Sequence, residues 1–313
     1  MRVSPRLSLL LAAMSLLIPA AASAEPPAAI ETMLRQLGRV VEPPTTAMIY
    51  LPLQQKEPYE GFKIERDIAY GSAELNKLDV FTPDGAGGPR PVLLFVRGGA
   101  FMTGDKHAVG VPFYDNVMLW AASQGMVGVN INYRLAPDAV WPAGAEDVAA
   151  AVRWVKANIS SRGGDPARII LMGHSAGGVH VVNYLSHPEM QAPDGAGVAA
   201  AIAISADYDL TSMKLTEPEN IYFGTDRGTY AARSSLAGLL KSSLPLMLVR
   251  AELDPPVFEQ QFNQAKAALC SSRHGCARTL VLSGESHMSE VYSINTEDTQ
   301  LTDAIADFVK TGK

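Results

Sequence analysis

The sequence predicts an α/β fold in which a mostly parallel central sheet carries helices on both faces, and three observations predict it. Six short, nearly continuous apolar runs (92–96, 126–131, 169–172, 199–204, 246–249 and 280–282) have the composition of strands buried on both sides. Stripes at helical spacing fall between them: Val148, Val152, Val155 and Ile159, then Leu301, Ala304, Ile305, Phe308 and Val309. Apolar residues make up 47% of the chain, enough for one large core, and no repeat or internal linker divides it.

Residues 1–24 stand apart from this pattern. Arg2 and Arg6 form a basic start, 9–18 a mostly apolar centre, and Ala22-Ser23-Ala24 a small-residue cleavage site before Glu25. That order is the signature of a secretory signal peptide. The apolar stretch falls short of the ~20 residues a membrane span requires. No cysteine follows it to accept lipid. The expectation is export, to a periplasm or beyond, with no membrane attachment once the signal is removed.

Ile30, Met33, Leu34, Leu37 and Val40 then share one helical face, which Pro43-Pro44 is expected to end. Residues 25–53 are therefore read as an N-terminal helical segment that can cap a site, and 54–313 as one catalytic domain. Phe62, Ile64, Ile68 and Tyr70, then Leu78, Val80 and Phe81, alternate as edge strands do. The net charge of −6 is spread along the chain without a basic stripe, which argues against nucleic acid as a partner.

The chemistry is concentrated in Gly173-His174-Ser175-Ala176-Gly177, directly after the run 169–172 and before a helical stripe of Val179, Val182 and Leu185. G-x-S-x-G between strand and helix is a sharp turn that exposes the serine hydroxyl, with glycines where a Cβ would crowd the backbone. A serine hydroxyl is a poor nucleophile at neutral pH, so Ser175 needs a base and the base an orienting acid. His174 lies inside the turn, His180 and His187 on the helix after it, His107 in an early loop and His274 between two cysteines. His287 follows the run 280–282 and a short loop, at the strand end where catalytic groups gather in open α/β sheets. The acid is expected between serine and histidine. Asp254, after the run 246–249 and before Pro255-Pro256, is the candidate, with Asp207 and Glu252 as rivals. The N–H of Ala176 is placed to donate to an oxyanion, and the loop Arg97-Gly98-Gly99-Ala100-Phe101 to supply further amides.

In this combination the chain resembles the hormone-sensitive-lipase-like carboxylesterases of the α/β-hydrolase fold. R-G-G-A-F-x-x-G-D-K from Arg97, N-Y-R-L-A-P from Asn132, W-P-A-G-A-E-D from Trp141, G-H-S-A-G and L-D-P at Leu253 carry the likeness. It covers roughly residues 60 to 310. It implies Ser175 as nucleophile, Asp254 as acid, His287 as base, and the amides of Gly99, Ala100 and Ala176 as oxyanion donors. It also implies no cofactor, and a cap of the kind residues 25–53 can form. Two positions depart from the family's His-Gly-Gly-Gly loop: Arg97 stands for the histidine and Ala100 for the last glycine. Arginine cannot accept a hydrogen bond, so a brace built on an imidazole acceptor is lost. Alanine is strained where φ must be positive. His287-Met288-Ser289 is closer to the branch of polysaccharide-side-chain (acetyl and feruloyl) esterases and small formamidases.

Cys270 and Cys276 bracket a short polar loop and, in an oxidising compartment, are expected to pair. Their rival use, a metal site with His274, lacks a visible fourth ligand, so no metal is expected. Three functions remain open on these residues. The first is a secreted serine esterase acting on short acyl or aryl esters of small molecules. The second is an amidase or formamidase with the same three residues, and the third a non-catalytic binding protein on the hydrolase fold.

Overall fold

The computed structural model describes residues 24–312 other than Ala86 and Arg273; most of the expected signal peptide lies outside the described residues. Eight strands form one sheet: β1 (Phe62–Ala69), β2 (Lys77–Pro83), β3 (Arg90–Val96), β4 (Val127–Ile131), β5 (Gly164–His174), β6 (Ala200–Ile204), β7 (Leu246–Ala251) and β8 (Arg278–Leu282). Their order is β1-β2-β4-β3-β5-β6-β7-β8. β2 runs antiparallel to β1 and β4, and every other pairing is parallel. This is the mostly parallel sheet that the apolar runs predict.

Side chains alternate across the sheet and feed two cores. Val92, Leu94 and Val96 of β3 enter one cluster with the helix Ala143–Asn158. Leu93 and Phe95 enter the other, with the helices Asp115–Ser123 and Gln300–Thr311. In register, Val96 pairs Gly173, His174 pairs Ile204, Ile204 pairs Val249 and Ala251 pairs Leu282. The carboxyl ends of β3, β5, β6, β7 and β8 therefore open at one edge, and the loops carrying Arg97, Ser175, Ser205, Asp254 and His287 meet there.

The structure corrects three local expectations. β2 is an interior strand: Leu78, Asp79, Val80 and Phe81 are all buried between β1 and β4. The run 280–282, read as doubly buried, instead forms the far edge, with Val281 42% exposed. A three-residue apolar run is too short to distinguish an edge from an interior strand. The first helix, Ala28–Leu37, ends at Gly38 with φ 78°, and Pro43 opens the next helix, Pro43–Tyr50. Proline fits a helix's first turn because its missing N–H would have no partner there. Val40 is left in the exposed link between the two helices.

This N-terminal segment is bound to the side of the sheet where those loops meet. Arg35 forks onto Glu252 at 2.9 and 3.0 Å, and Arg39 donates to the Asp254 carbonyl at 2.6 Å. Gln54 donates to the carbonyls of Tyr292 and Ile294. Cys270 and Cys276 form a disulfide at the end of the helix Pro256–Cys270.

Candidate active site

Ser175 sits between β5 and the helix Ala176–Ser186 at φ 54° and ψ −126°. The turn closes because two neighbours lack side chains. A Cβ on Gly173 would lie 2.4 Å from the Gly177 carbonyl oxygen. One on Gly177 would lie 2.1 and 2.3 Å from the carbonyl oxygens of Val96 and Arg97. Backbone cannot yield at such distances, so both positions require glycine. The Ser175 N–H donates to Ile204 O at 2.9 Å, which ties the turn to β6.

The structure brings Ser175, His287 and Asp254 into one hydrogen-bonded line. His287 Nε2 lies 2.9 Å from Ser175 Oγ, and its Nδ1 lies 2.8 Å from Asp254 Oδ1. His287 and Asp254 are fully buried, and Phe258 stacks on the imidazole at 4.5 Å between ring centres. With Asp254 accepting at Nδ1, the proton resides there and Nε2 faces the hydroxyl as an acceptor, which is the tautomer a general base requires. The rivals are placed elsewhere. Glu252 is ion-paired to Arg35 and accepts from Gly284 N. Asp207, just after β6, makes no hydrogen bond to His287 among the described residues.

Support behind this line was not apparent from the residue pattern. Asp254 Oδ2 accepts from Ala251 N at 2.9 Å and from Ser205 Oγ at 2.5 Å, and Ser205 Oγ also lies 2.9 Å from Glu290 Oε1. A hydroxyl has one hydrogen to give. Burial, then the charge of Asp254, pushes the Glu290 carboxyl well above the usual range. The neutral acid therefore donates to Ser205, and Ser205 donates to Asp254. His174 Nε2 reaches the His287 carbonyl at 2.8 Å and holds that residue's backbone in place. Burial drives the His174 pKa well below its ordinary value, so the ring is neutral. One sequence signal was available: Glu290 follows His287 by one helical turn, in Ser289–Tyr292.

The loop after β3 crosses the mouth of the site. Gly99 has φ 135°, Ala100 φ 48° and Phe101 φ 66°. A Cβ on Gly99 would lie 2.0 Å from Thr103 O. Arg97 is fully buried beneath this loop. Its Nε donates to Asn132 Oδ1 at 2.7 Å, and its Nη1 donates to the carbonyls of Gly98 and Thr103 at 2.8 and 2.7 Å. The guanidinium also lies over the Tyr133 ring at 4.7 Å. Arginine offers no acceptor here, and it braces the loop from inside as a donor instead. Asn132 joins the system by also accepting from Lys106 N at 2.8 Å, and Ala136 N donates to Phe101 O at 2.9 Å. Among the described residues, no hydrogen bond occupies the N–H of Gly99, Ala100 or Ala176. All three residues line a cavity of about 690 Å³ that contains Ser175. Val41 and Pro43 of the N-terminal segment line the same cavity.

A histidine line to a hydroxyl, with free amides beside it, can deprotonate that hydroxyl and receive an oxyanion. Comparison with known proteins finds relatives named as ester hydrolases. The family model BD-FAE matches residues 78–269, more than half of the chain. The chain is similar to the probable carboxylic ester hydrolase LipM of Mycobacterium tuberculosis (strain ATCC 25618 / H37Rv), 35% identical over 174 residues, 52% of this chain and 39% of that protein. It is similar to esterase LipQ of the same organism, 29% identical over 264 residues, 78% of this chain and 61% of that protein. The chain thus spans about half the length of the curated relatives it matches. Among solved structures, a Pyrobaculum calidifontis esterase superposes with TM-score 0.68 at 20% identity, over 90% of this chain and 97% of that one. A truncated carbohydrate esterase from gut microbiota gives 0.67 at 19%, over 82% and 99%. At such identities the structural likeness establishes the fold.

Proposed function

This chain belongs to the BD-FAE family, and from that premise we propose that it is a serine hydrolase cleaving short-chain acyl or aryl carboxylic esters of small molecules through an acyl-enzyme. The observation that carries the reading is His287, engaged at 2.9 Å by Ser175 and at 2.8 Å by Asp254. Ser175 Oγ attacks the ester carbonyl carbon as its proton passes to His287 Nε2. Asp254 stabilises the imidazolium without taking the proton. The carbonyl oxygen becomes an oxyanion and is met by the amides of Gly99, Ala100 and Ala176. The carbon–oxygen bond to the alcohol then breaks, and the alcohol leaves with the proton from His287. A water molecule repeats the sequence in reverse roles and releases the acid. The esterase names of the relatives support the ester bond as the target.

Export to a periplasm or beyond is part of this reading. It rests on the basic, apolar and small-residue order of residues 1–24, and the Cys270–Cys276 disulfide suits an oxidising compartment. Residues 25–53, whose Val41 and Pro43 reach the cavity, serve as its cap.

The test is substitution with a covalent probe. Ser175→Ala and His287→Ala each lower turnover of a short-chain aryl ester by on the order of 10⁴-fold, because the members of such a unit act together. An organophosphonate labels the native protein at Ser175 with one-to-one stoichiometry. Turnover retained in Ser175→Ala, or labelling elsewhere, overturns the proposal.

A further inference from the structure

Asp207 and Glu219 form a second pair of carboxyl groups in the wall of the same cavity, and the ester chemistry does not use them. Asp207 follows the carboxyl end of β6 and is 4% exposed; Glu219, on the helix Glu217–Phe223, is 8% exposed. Both line the cavity that holds Ser175. Glu219 already has a structural role. Its Oε2 accepts from the N–H and hydroxyl of Thr216, at 2.5 and 2.8 Å, closing the box that starts its helix. Asp207 has no comparable role, and its Oδ1 has no hydrogen-bond partner although the residue is almost wholly buried.

The surroundings decide the charge of Asp207. Glu219 stands with it in the wall of the cavity, and Asp254 adds a further negative charge nearby. Among the described residues, no lysine, arginine or histidine forms an ion pair with either. A buried carboxyl beside other acidic groups and without a cation is disfavoured as the anion. Burial, then Glu219, holds the Asp207 carboxyl well above its usual range. Glu219 is committed as an acceptor to Thr216, and the raised Asp207 carboxyl is the one that keeps its proton. A neutral carboxylic acid offers one donor and one acceptor, and its terminal torsion is soft enough to turn either oxygen toward the cavity. The matching group is one that also donates and accepts, which is a hydroxyl. An ammonium would find the donor half of the acid opposed to it.

We propose that Asp207, backed by Glu219, is a specificity subsite that binds a hydroxyl group of the ester substrate. The proposal rests on the ester-hydrolase reading and deepens it: the preferred substrates are hydroxylated esters, and Asp207 discriminates them from plain alkyl esters. An unfilled subsite leaves a buried polar atom unpaired, as Oδ1 is here, and binding a hydroxyl removes that cost.

The experiment compares kcat/KM on matched esters with the full chain. Glycerol monoacetate against propyl acetate places the hydroxyl on the alcohol side, and methyl 3-hydroxybutyrate against methyl butyrate on the acyl side. In at least one pair the native protein favours the hydroxylated ester, and Asp207→Leu lowers that ratio by about tenfold or more, the value of one buried hydrogen bond. Asp207→Asn, whose carboxamide both donates and accepts, holds the ratio within about threefold of native, which separates the lost contact from lost packing. Unchanged ratios in Asp207→Leu for both pairs overturn the subsite. A stronger preference for methyl 3-aminobutyrate that vanishes in Asp207→Leu also overturns it, because the site then takes a cation. A native protein inert toward all these esters defeats the ester-hydrolase reading itself, a result distinct from either.

Discussion

Residues 173–177 and 97–104 both bring backbone at positive φ to the mouth of one cavity, yet they are held differently. In the first, a single strained residue, Ser175, fits because Gly173 and Gly177 leave room for neighbouring carbonyls. In the second, Gly99, Ala100 and Phe101 are consecutive at positive φ and two of them carry side chains. What sustains that loop is Arg97 beneath it, donating to two of the loop's carbonyls and to Asn132 after β4. One turn is made by local sterics and the other by long-range hydrogen bonding. Strain relieved by glycine is written at the strained site, whereas strain held by a brace is written wherever the brace's partners happen to be.

The largest expected effect breaks the first turn. Gly177→Ala forces a methyl against the Val96 and Arg97 carbonyl oxygens, costing about 3 kcal/mol or more. Thermal melting and soluble yield both fall, and ester turnover is lost with the geometry of Ser175. A variant that melts like the native chain would show that the turn has slack these distances deny.

Next is the brace. Arg97→Met keeps the apolar stem but strands the carbonyls of Gly98 and Thr103. Two buried acceptors without partners cost about 1–3 kcal/mol each before relaxation. Turnover falls about 10²-fold as the oxyanion amides lose their positions. Equal losses in kcat and kcat/KM would locate the damage in the transition state, whereas an unchanged kcat would refute the brace.

The two turns also differ in how they respond to acid, since the first carries the imidazole of His174. Burial depresses the His174 pKa well below the ordinary 6.5. The folded ring stays neutral while the unfolded one takes a proton, so its contribution to stability is full above pH 6.5 and declines as pH falls below it. His180, held down to about 3 by burial and by Arg97, acts with the same sign. Asp207, Glu285 and Glu290 act oppositely, because burial raises them and the folded state gains as pH falls. His174→Gln should therefore lose less stability than the native chain between about pH 6.5 and 5. Arg97→Met, which relieves His180 of a neighbouring charge, should flatten the slope less than His174→Gln, because burial remains the main cause at His180. Denaturant titrations at several pH values measure both, and parallel slopes for His174→Gln and the native chain would contradict the assignment.

The smallest effect sharpens the comparison by giving the second turn what the first already has. Ala100→Gly removes the Cβ penalty at φ 48°, worth ~1–2 kcal/mol. Glycine's extra freedom in the unfolded chain returns roughly 0.5–1 kcal/mol of that. The net is a melting temperature higher by about a degree or two. A lower melting temperature would mean the methyl packs usefully in the cavity wall.

Much of the site was legible because its demands are local. G-H-S-A-G needs a strand before it and a helix after it, and both are encoded within a few residues. Asp254 and His287 were found by following apolar runs to their ends, where a parallel sheet exposes its loops. Ser205 and Glu290 were not found, since a serine after a strand and a glutamate on a short helix look ordinary until packing places them against Asp254. The helix Glu217–Phe223, which carries Glu219 to the cavity, left no apolar stripe strong enough to read. Arg97 was read by the acceptor it lacks, because its donor partners lie on segments that only the fold brings near.

The sequence by itself determined the parallel sheet, the strand–turn–helix around Ser175 and the late strand end that carries His287. Each follows from periodicity or sterics over a few neighbouring positions. The tertiary structure alone decided which strands are edges, which of three acidic residues meets His287, and how an arginine can hold a loop usually associated with histidine. It also decided that Asp207 and Glu219 share a wall of the cavity. Those outcomes depend on hydrogen bonds and burial between residues far apart in the chain, where the energy belongs to the pair and neither member's local sequence contains it.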